Sequence, residues 1–169
     1  MAKITTKELL DAGVHFGHLT RKWDPQMSPF IFMEKNGIHI IDLNKSLKHL
    51  EEAAAALRGV VRSGRKVMFV ATKKQAKEVV EEQAKKLKMP YVTERWLGGM
   101  LTNFATIRKS LKKMTSIDKL LKEDAYNNLA KREKLMLSRE RAKLERVLGG
   151  IADLNRLPAA LFVVDIKRE

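Results

Sequence analysis

The chain has 169 residues, no cysteine and a formal net charge of +14, from 34 Lys and Arg against 20 Asp and Glu. With 44% hydrophobic residues it can build one domain with a core, so it is not a disordered chain. The lack of cysteine excludes disulfides, cysteine-ligated zinc and a cysteine nucleophile. A balance this basic favours a polyanionic partner, nucleic acid before an anionic membrane surface.

The first thirty residues predict a short helix followed by irregular structure. Thr5 and Glu8 have the spacing of a capping box, and Gly13 is expected to end the helix that follows. The segment 13–18 is interpreted as a tight connector, and 20–29, which contains two prolines, as irregular.

A β-hairpin and a long helix are predicted next. Asn36 and Gly37 separate two apolar runs and supply the positive φ angles of a type I′ turn. Asn44 is expected to cap a helix that runs to about Arg62. The positions of this helix expected to face inward are Leu47, Leu50, Ala54, Leu57 and Val61.

Three later apolar runs, 66–71, 90–94 and 160–165, predict strands. The first is apolar almost throughout, as in parallel sheets that are buried on both faces. A capping box over 72–75 predicts a helix between the first two strands. Its expected inward positions are Ala76, Val79, Val80, Ala84 and Leu87. Strands alternating with helices indicate an α/β domain with a mostly parallel sheet.

The connection from Arg95 to Ala159 is far longer than the roughly twelve residues that a crossover between parallel strands needs. Its apolar residues recur at helical spacing on both sides of a bend expected at 123–128. We therefore predict an inserted antiparallel coiled-coil hairpin over 104–149, and an α/β domain made of 1–103 and 150–169. The predicted seam is formed by Phe104, Ile107, Leu111, Met114, Leu121, Leu137, Leu144, Val147, Leu148 and Ile151.

The segment 95–103 carries the strongest binding signal. Arg95 offers a fork for phosphates, Trp96 offers a stacking face, and the Gly98-Gly99 pair permits positive φ and close backbone approach. Arg21-Lys22-Trp23 is a second cation-and-aromatic combination in an irregular segment. Such groups hold phosphates and unpaired bases in RNA-binding proteins. A structural alternative stays open, in which Trp96 anchors the turn to the core and Arg95 is solvated.

Catalytic patterns are weaker. The segment after the first parallel strand lacks GxGxxG and a Walker A sequence, although Thr72 and Lys73 could bind one anion. Asp42 and Asp165 follow strands, where they could hold Mg²⁺ or cap helices, and we favour capping. A nucleotide-binding or phosphoryl-transfer enzyme that uses Asp42, Thr72 and Lys73 is the alternative function.

Two histidines, His15 and His18, have HxxH spacing, but without cysteine a zinc site needs a third converging ligand. A hydrogen-bonding or RNA-contacting role for His15 is favoured. We expect no metal and no cofactor. No apolar run approaches the roughly 20 residues of a membrane span, and the apolar seam of the hairpin is expected to pair its two arms, so a membrane partner is not expected.

Several long motifs together resemble one family. They are Leu9-Leu10-Asp11-Ala12-Gly13-Val14-His15-Phe16-Gly17-His18, Trp23-Asp24-Pro25, Pro29-Phe30-Ile31-Phe32, Gly37-Ile38-His39-Ile40-Ile41-Asp42-Leu43, Phe69-Val70-Ala71-Thr72-Lys73, Arg95-Trp96-Leu97-Gly98-Gly99-Met100-Leu101-Thr102-Asn103, Leu148-Gly149-Gly150-Ile151 and Pro158-Ala159-Ala160-Leu161-Phe162-Val163-Val164-Asp165. By these motifs the chain resembles the universal ribosomal protein S-two family of the small subunit.

The resemblance implies a flavodoxin-like (Rossmann-like) α/β domain with an inserted coiled-coil hairpin, and a structural role instead of catalysis. It implies binding to small-subunit ribosomal RNA between head and body, neighbouring ribosomal proteins as partners, and docking of the large mRNA-binding ribosomal protein S-one. A monomer within the cytoplasmic ribosome is expected. The family continues past Glu169, so a C-terminally shortened chain is expected.

The candidate RNA contacts form two predicted surfaces. The first, the loop-and-turn surface, comprises His15, His18, Arg21, Lys22, Trp23, Arg95, Trp96 and Asn103, and Lys73 and Lys74 are further candidates. The second, the hairpin surface, extends from Arg108 to Lys122 and from Lys131 to Arg146, with Arg108, Lys109, Lys112, Lys113, Lys131, Arg132, Arg139 and Lys143 as its candidate contacts.

Overall fold

The computed structural model describes residues 4–121 and 129–169. The bend predicted at 123–128, and Lys122 of the hairpin surface, lie outside the described residues. The chain divides into an N-terminal unit, Met1–Gly59, and a C-terminal unit, Val60–Glu169. No helix in the described parts of the chain is long and apolar enough to cross a membrane.

The N-terminal unit begins with the predicted capped helix. Helix α1 spans Thr6–Asp11, and the capping box is confirmed, since the backbone N–H of Glu8 donates to Thr5 Oγ1 at 3.3 Å and the N–H of Thr5 donates to Glu8 Oε2 at 2.7 Å. Gly13 follows with a φ of 73°. Helix α1 therefore ends just before Gly13, as predicted.

Three strands then form an antiparallel sheet: β1 (Phe16–Leu19), β2 (Ile31–Lys35) and β3 (Ile38–Ile41), in the order β1-β3-β2. Short 3₁₀ turns at Thr20–Lys22 and Pro25–Phe30 connect β1 to β2. The predicted hairpin of β2 and β3 is confirmed.

Two local features define the strand pairing of this sheet. Asn36 and Gly37 have φ angles of 52° and 69°, as a type I′ turn requires. The interpretation of 13–18 as a connector is confirmed for 13–15, which form a turn, and wrong for 16–18, where β1 pairs with β3. Gly17 makes this pairing possible, since a Cβ on it would lie 2.8 Å from the His39 carbonyl oxygen.

Helix α2 spans Leu43–Arg62. Asp42, and not Asn44, caps it, because Asp42 Oδ1 accepts the backbone N–H of Asn44 at 3.0 Å and of Lys45 at 3.4 Å. The favoured capping role of Asp42 is thus confirmed. Of the predicted inward positions, Leu47, Ala54 and Leu57 are half-buried, whereas Leu50 and Val61 are exposed.

The C-terminal unit contains the predicted parallel sheet. Strands β4 (Val67–Val70), β5 (Tyr91–Val92) and β6 (Ala160–Val163) lie in the order β5-β4-β6, and both pairings are parallel. We call the edge where these strands begin the amino edge and the edge where they end the carboxyl edge. Three of the four residues of the central strand β4 are buried, as its apolar sequence predicts.

Helix α3 spans Lys77–Lys86 and starts later than predicted. The capping box over 72–75 does not form, because the backbone N–H of Thr72 and the amine of Lys73 bond to the C-terminal residues instead. Ala84 is buried and Ala76 and Val80 are half-buried, at spacings of four residues. The other two predicted inward positions, Val79 and Leu87, are exposed. Val79 is offset by one residue from the buried stripe, and Leu87 follows the last residue of the helix.

The long connection contains two helices, α4 (Phe104–Leu120) and α5 (Lys131–Leu148), which pack against each other. A short 3₁₀ turn, Gly149–Ile151, follows α5. The base of the pair joins the sheet in one core, whose buried members are Met68, Val70, Val92, Met100, Ile107, Leu111, Met114, Leu148, Ile151 and Leu154.

Candidate nucleic-acid interface

The segment 95–103 forms a turn that is tied to the core of the C-terminal unit. Gly99 has a φ of 78°, and the N–H of Asn103 donates to its carbonyl oxygen at 2.7 Å. Met100 is buried, and Trp96 is half-buried against the core. Arg95 is exposed. The arrangement matches the structural alternative for Trp96, and it leaves the Arg95 guanidinium accessible to an anion.

The end of this turn begins α4 at Asn103. Its side-chain oxygen accepts a hydrogen bond from Thr106 Oγ1 at 2.9 Å, and its carbonyl oxygen accepts the N–H of Thr106 at 3.1 Å. Asn103 is exposed. Its side chain therefore has a structural task at the start of the helix besides any contact with a ligand.

The carboxyl edge carries a cleft of about 620 Å³ beside the turn. At this edge the Lys73 amine donates to Asp165 Oδ2 at 3.1 Å, and the N–H of Thr72 donates to Glu169 Oε1 at 2.8 Å. The hydrogen bond from Lys73 is the main cause that holds the pKa of Asp165 below its ordinary value. Lys73 is thus engaged within the protein, while Lys74 is exposed.

Asp165 lies at the start of the turn that follows β6. It has a positive φ of 68°, and the N–H of Glu169 donates to its carbonyl oxygen at 3.3 Å. The backbone N–H of Arg168 also donates to this carbonyl oxygen at 3.0 Å, so Asp165 begins the turn over 166–168, and its favoured role as a helix cap stays a prediction.

The N-terminal unit, taken by itself, contains the other residues that the sequence assigned to the loop-and-turn surface. His18, Arg21 and Lys22 are exposed, while His15 and Trp23 are half-buried. The Trp23 ring meets the His39 ring edge-on at 4.8 Å, and the His15 ring lies 4.1 Å from the ring of Phe16. No group of three or more potential metal ligands occurs among the described residues.

The hairpin surface is highly charged. Lys113 pairs with Glu140 of the other helix, and Arg141 donates to Asp118 at 2.8 Å. These pairs fasten α4 to α5. The remaining candidate contacts of this surface are exposed and form no ion pair with any residue in 4–121 or 129–169; they are Arg108, Lys109, Lys112, Lys131, Arg132, Arg139 and Lys143.

Sequence reasoning missed one feature of the sheet. Basic residues gather at the amino edge of the parallel sheet, in loops that match no motif. Their only sequence signal is the positive charge itself, which is spread over the whole chain.

Comparison with known proteins agrees with the resemblance that the sequence motifs indicated. A family model described as Ribosomal protein S2 matches residues 9–169. The chain is 73% identical over 167 residues to the small ribosomal subunit protein uS2 of Cytophaga hutchinsonii, and 65% identical over 167 residues to that of Flavobacterium johnsoniae. Each match covers 99% of this chain and 66% of the relative. With uS2 of Amoebophilus asiaticus it shares 63% identity over 169 residues, which is 54% of that relative.

The match over nearly every residue places this chain in the class of small-subunit ribosomal proteins. The chain belongs to the ribosomal protein S2 family, as its motifs indicated. This family comprises structural proteins of the cytoplasmic ribosome and not enzymes, so the phosphoryl-transfer alternative is set aside. The chain spans 66% of the length of the first two relatives.

Proposed function

We propose that this chain binds folded small-subunit ribosomal RNA between head and body and supports translation as a structural constituent of the subunit. In this proposal it acts as a monomer within the ribosome, beside neighbouring ribosomal proteins, and helps to dock the large mRNA-binding protein S-one. Family membership and a net charge of +14 support it.

The fold proposed for the complete protein is flavodoxin-like with an inserted antiparallel coiled-coil hairpin. The order β5-β4-β6 supports the first part, since numbering these strands along the chain gives 2-1-3, the order in which flavodoxin-like sheets begin. The buried row Ile107, Leu111, Met114 and Ile117 on α4 supports the second. The proposed domain division stays at 1–103 with 150–169 and an inserted 104–149.

The observation that carries the RNA proposal is the set of exposed cations on α4 and α5 that have no partner within the described residues. A folded protein gains little from like charges on one surface, because they repel each other. Phosphates neutralise such charges and release bound counterions, which makes affinity depend steeply on salt. The hairpin surface therefore has the charge pattern of an RNA-docking arm.

The test reverses three cations that have no described partner, Arg108→Glu, Lys109→Glu and Lys112→Glu, and leaves Lys113 to pair with Glu140. Purified small ribosomal subunits that lack their own copy of the protein are sedimented with tagged protein over a salt series. We expect the variant to stay in the supernatant at salt concentrations where the unaltered chain co-sediments.

The matched control is Lys7→Glu, Lys35→Glu and Lys48→Glu, three exposed cations outside both predicted surfaces that likewise form no ion pair with the described residues, and it should co-sediment more strongly than the hairpin variant. Equal binding by the two variants would remove the hairpin from the RNA interface. If the unaltered chain itself does not sediment with subunits at low salt, the RNA proposal as a whole is wrong.

A further inference from the structure

A basic groove extends along the amino edge of the parallel sheet, and none of its lining residues belongs to either predicted surface. It consists of two adjoining clefts of about 330 and 420 Å³ that share Lys66, Asp153 and Leu154 in their walls. Gly149 and Gly150, at the return from the hairpin, line one of them. The charged residues in the walls of the two clefts are Arg65, Lys66, Lys85, Lys88, Arg156 and Asp153.

Most of these cations have no internal partner. Lys85 donates to Glu81 at 2.6 Å and lies 5.8 Å from the centre of the Tyr91 ring. The other four are exposed and form no ion pair with any residue that the structure describes; they are Arg65, Lys66, Lys88 and Arg156. The groove therefore carries an excess of positive charge, with Asp153 as the one carboxylate among its described lining residues.

Lys88 is in a backbone conformation that disfavours lysine. It follows the last turn of α3 with a φ of 52°, and the N–H of Met89 donates to the Ala84 carbonyl oxygen at 3.0 Å. This left-handed position at the end of a helix is where glycine is common, because a Cβ is strained there. Strain at a charged residue that lines a groove is an indication of function and not of stability.

The shape of the groove also suits a polymer. The unpaired cations are divided between two clefts and not gathered around one point. A chain of phosphates can contact both clefts, whereas one small anion can occupy only one of them.

We propose that this basic groove binds the phosphate backbone of small-subunit ribosomal RNA, as a third contact beside the loop-and-turn surface and the hairpin surface. The proposal rests on the function proposed above and adds a site to it. Because cations are the most numerous charged residues in the described walls of the groove, we expect recognition there to be mainly by charge and shape.

The first test removes two charges without weakening the fold. The variant Lys66→Gln with Lys88→Gly is compared with Lys77→Gln with Lys86→Gln, which changes the net charge equally but alters lysines paired with Glu94 and Glu82. The probe is again small subunits that lack their own copy. We expect the groove variant to lower the slope of log affinity against log salt by about 1.4 to 1.8, and the affinity at 0.1 M salt by about tenfold or more.

Because Lys88→Gly relieves backbone strain, weaker binding by this variant cannot be attributed to unfolding. A melting curve of the free protein checks this, and the variant should melt no lower than the unaltered chain. Slopes that are the same for the groove variant, the control variant and the unaltered chain would overturn the groove, although the unaltered chain still binds subunits. Failure of the unaltered chain to bind would instead overturn the function proposed above.

The second test asks what occupies the groove. The chain has no cysteine, so Asp153→Cys provides a single attachment point for Fe(II)–EDTA between the two clefts, and Glu82→Cys on α3 is the control. We expect hydroxyl radicals from position 153 to cut ribosomal RNA in assembled subunits more strongly than those from position 82. Cuts only in a neighbouring protein would show that an acidic protein segment fills the groove, and would overturn the RNA proposal.

Discussion

The two edges of the parallel sheet use their charged residues in opposite ways. At the carboxyl edge the cleft is lined by two arginines, Arg95 and Arg168, and two glutamates, Glu94 and Glu169. At the amino edge the walls of the two clefts include five cations and one carboxylate, among the residues that the structure describes. The charges that line one edge are nearly balanced, and those that line the other are predominantly positive.

This difference shows the limit of reasoning from fold alone. The carboxyl edge of an α/β sheet is where ligands usually bind, so the sequence directs attention to Thr72 and Lys73. In this chain the C-terminal turn closes over that edge, because Asp165 and Glu169 bond to those two residues. The amino edge is not the usual place for ligand sites in α/β proteins. In this chain, however, it keeps its positive charge exposed.

The largest effect is expected where the hairpin rejoins the amino edge. A Cβ on Gly150 would lie 2.3 Å from the carbonyl oxygen of Tyr91, which the backbone of β5 holds in place. We expect Gly150→Ala to lower the free energy of unfolding by about 2 kcal/mol or more, because two backbones are forced apart. Urea denaturation measures the change.

Gly98→Ala at the carboxyl edge is the matched control, because nothing lies within 4 Å of a Cβ added there. It should change stability by no more than about 0.5 kcal/mol. Equal losses in the two variants would mean that the close approach at the amino edge does not constrain the fold.

A smaller effect of the opposite sign is expected at Lys88. Replacing a lysine that has a positive φ by glycine should raise the free energy of unfolding by about 1 kcal/mol. Gln83→Gly, inside α3, should instead lower it by about 1 kcal/mol, since glycine destabilises helix interiors. Opposite shifts in melting temperature would confirm that Lys88 is retained at a cost, and a destabilised Lys88→Gly variant would contradict it.

The carboxyl edge should show a small dependence of stability on pH. The pKa of Asp165 lies below its ordinary value of 3.8, mainly through the hydrogen bond from Lys73, so this pair stabilises the fold above that value. The stabilisation is lost as the pH falls through the lowered pKa of the folded state. The urea midpoint of Lys73→Gln should thus lie slightly below that of the unaltered chain at pH 7.

The two midpoints should converge as the pH falls below about 3.8. Lys74→Gln serves as the control, because Lys74 is exposed and has no ion pair with the described residues. A gap that persists unchanged at low pH would show that Lys73 acts through packing and not through Asp165.

The smallest effect is spectroscopic and belongs to the amino edge. Burial raises the pKa of Tyr91 above its ordinary value of 10.0, and the nearby Glu81 carboxylate adds to the shift. The chain has two tyrosines, so subtracting the ultraviolet titration of Tyr91→Phe from that of the unaltered chain isolates Tyr91. We expect a midpoint above 10, and Glu81→Gln should lower it. An isolated midpoint at or below 10 would show that the ring is not buried against the groove.

The sequence alone determined the elements that depend only on residues close to one another in the chain. The capping box of Thr5 and Glu8, the Asn36-Gly37 turn and the apolar strand β4 formed as predicted, because neighbouring residues satisfy each of them. The family also followed from the sequence, since its motifs are long and distributed along the chain. The total charge indicated a polyanionic partner without locating it.

Only the tertiary structure decided which charges stay available to that partner. Thr72 and Lys73 lost their predicted cap because residues more than ninety positions later bond to them, and Lys113 pairs with a residue of the other helix. Strand β1 was missed because it pairs with β3, which lies about twenty residues later in the chain, beyond β2 and the hairpin turn. Contacts between distant positions leave no periodicity in the sequence, so the paired cations and the free ones look alike until the chain is folded.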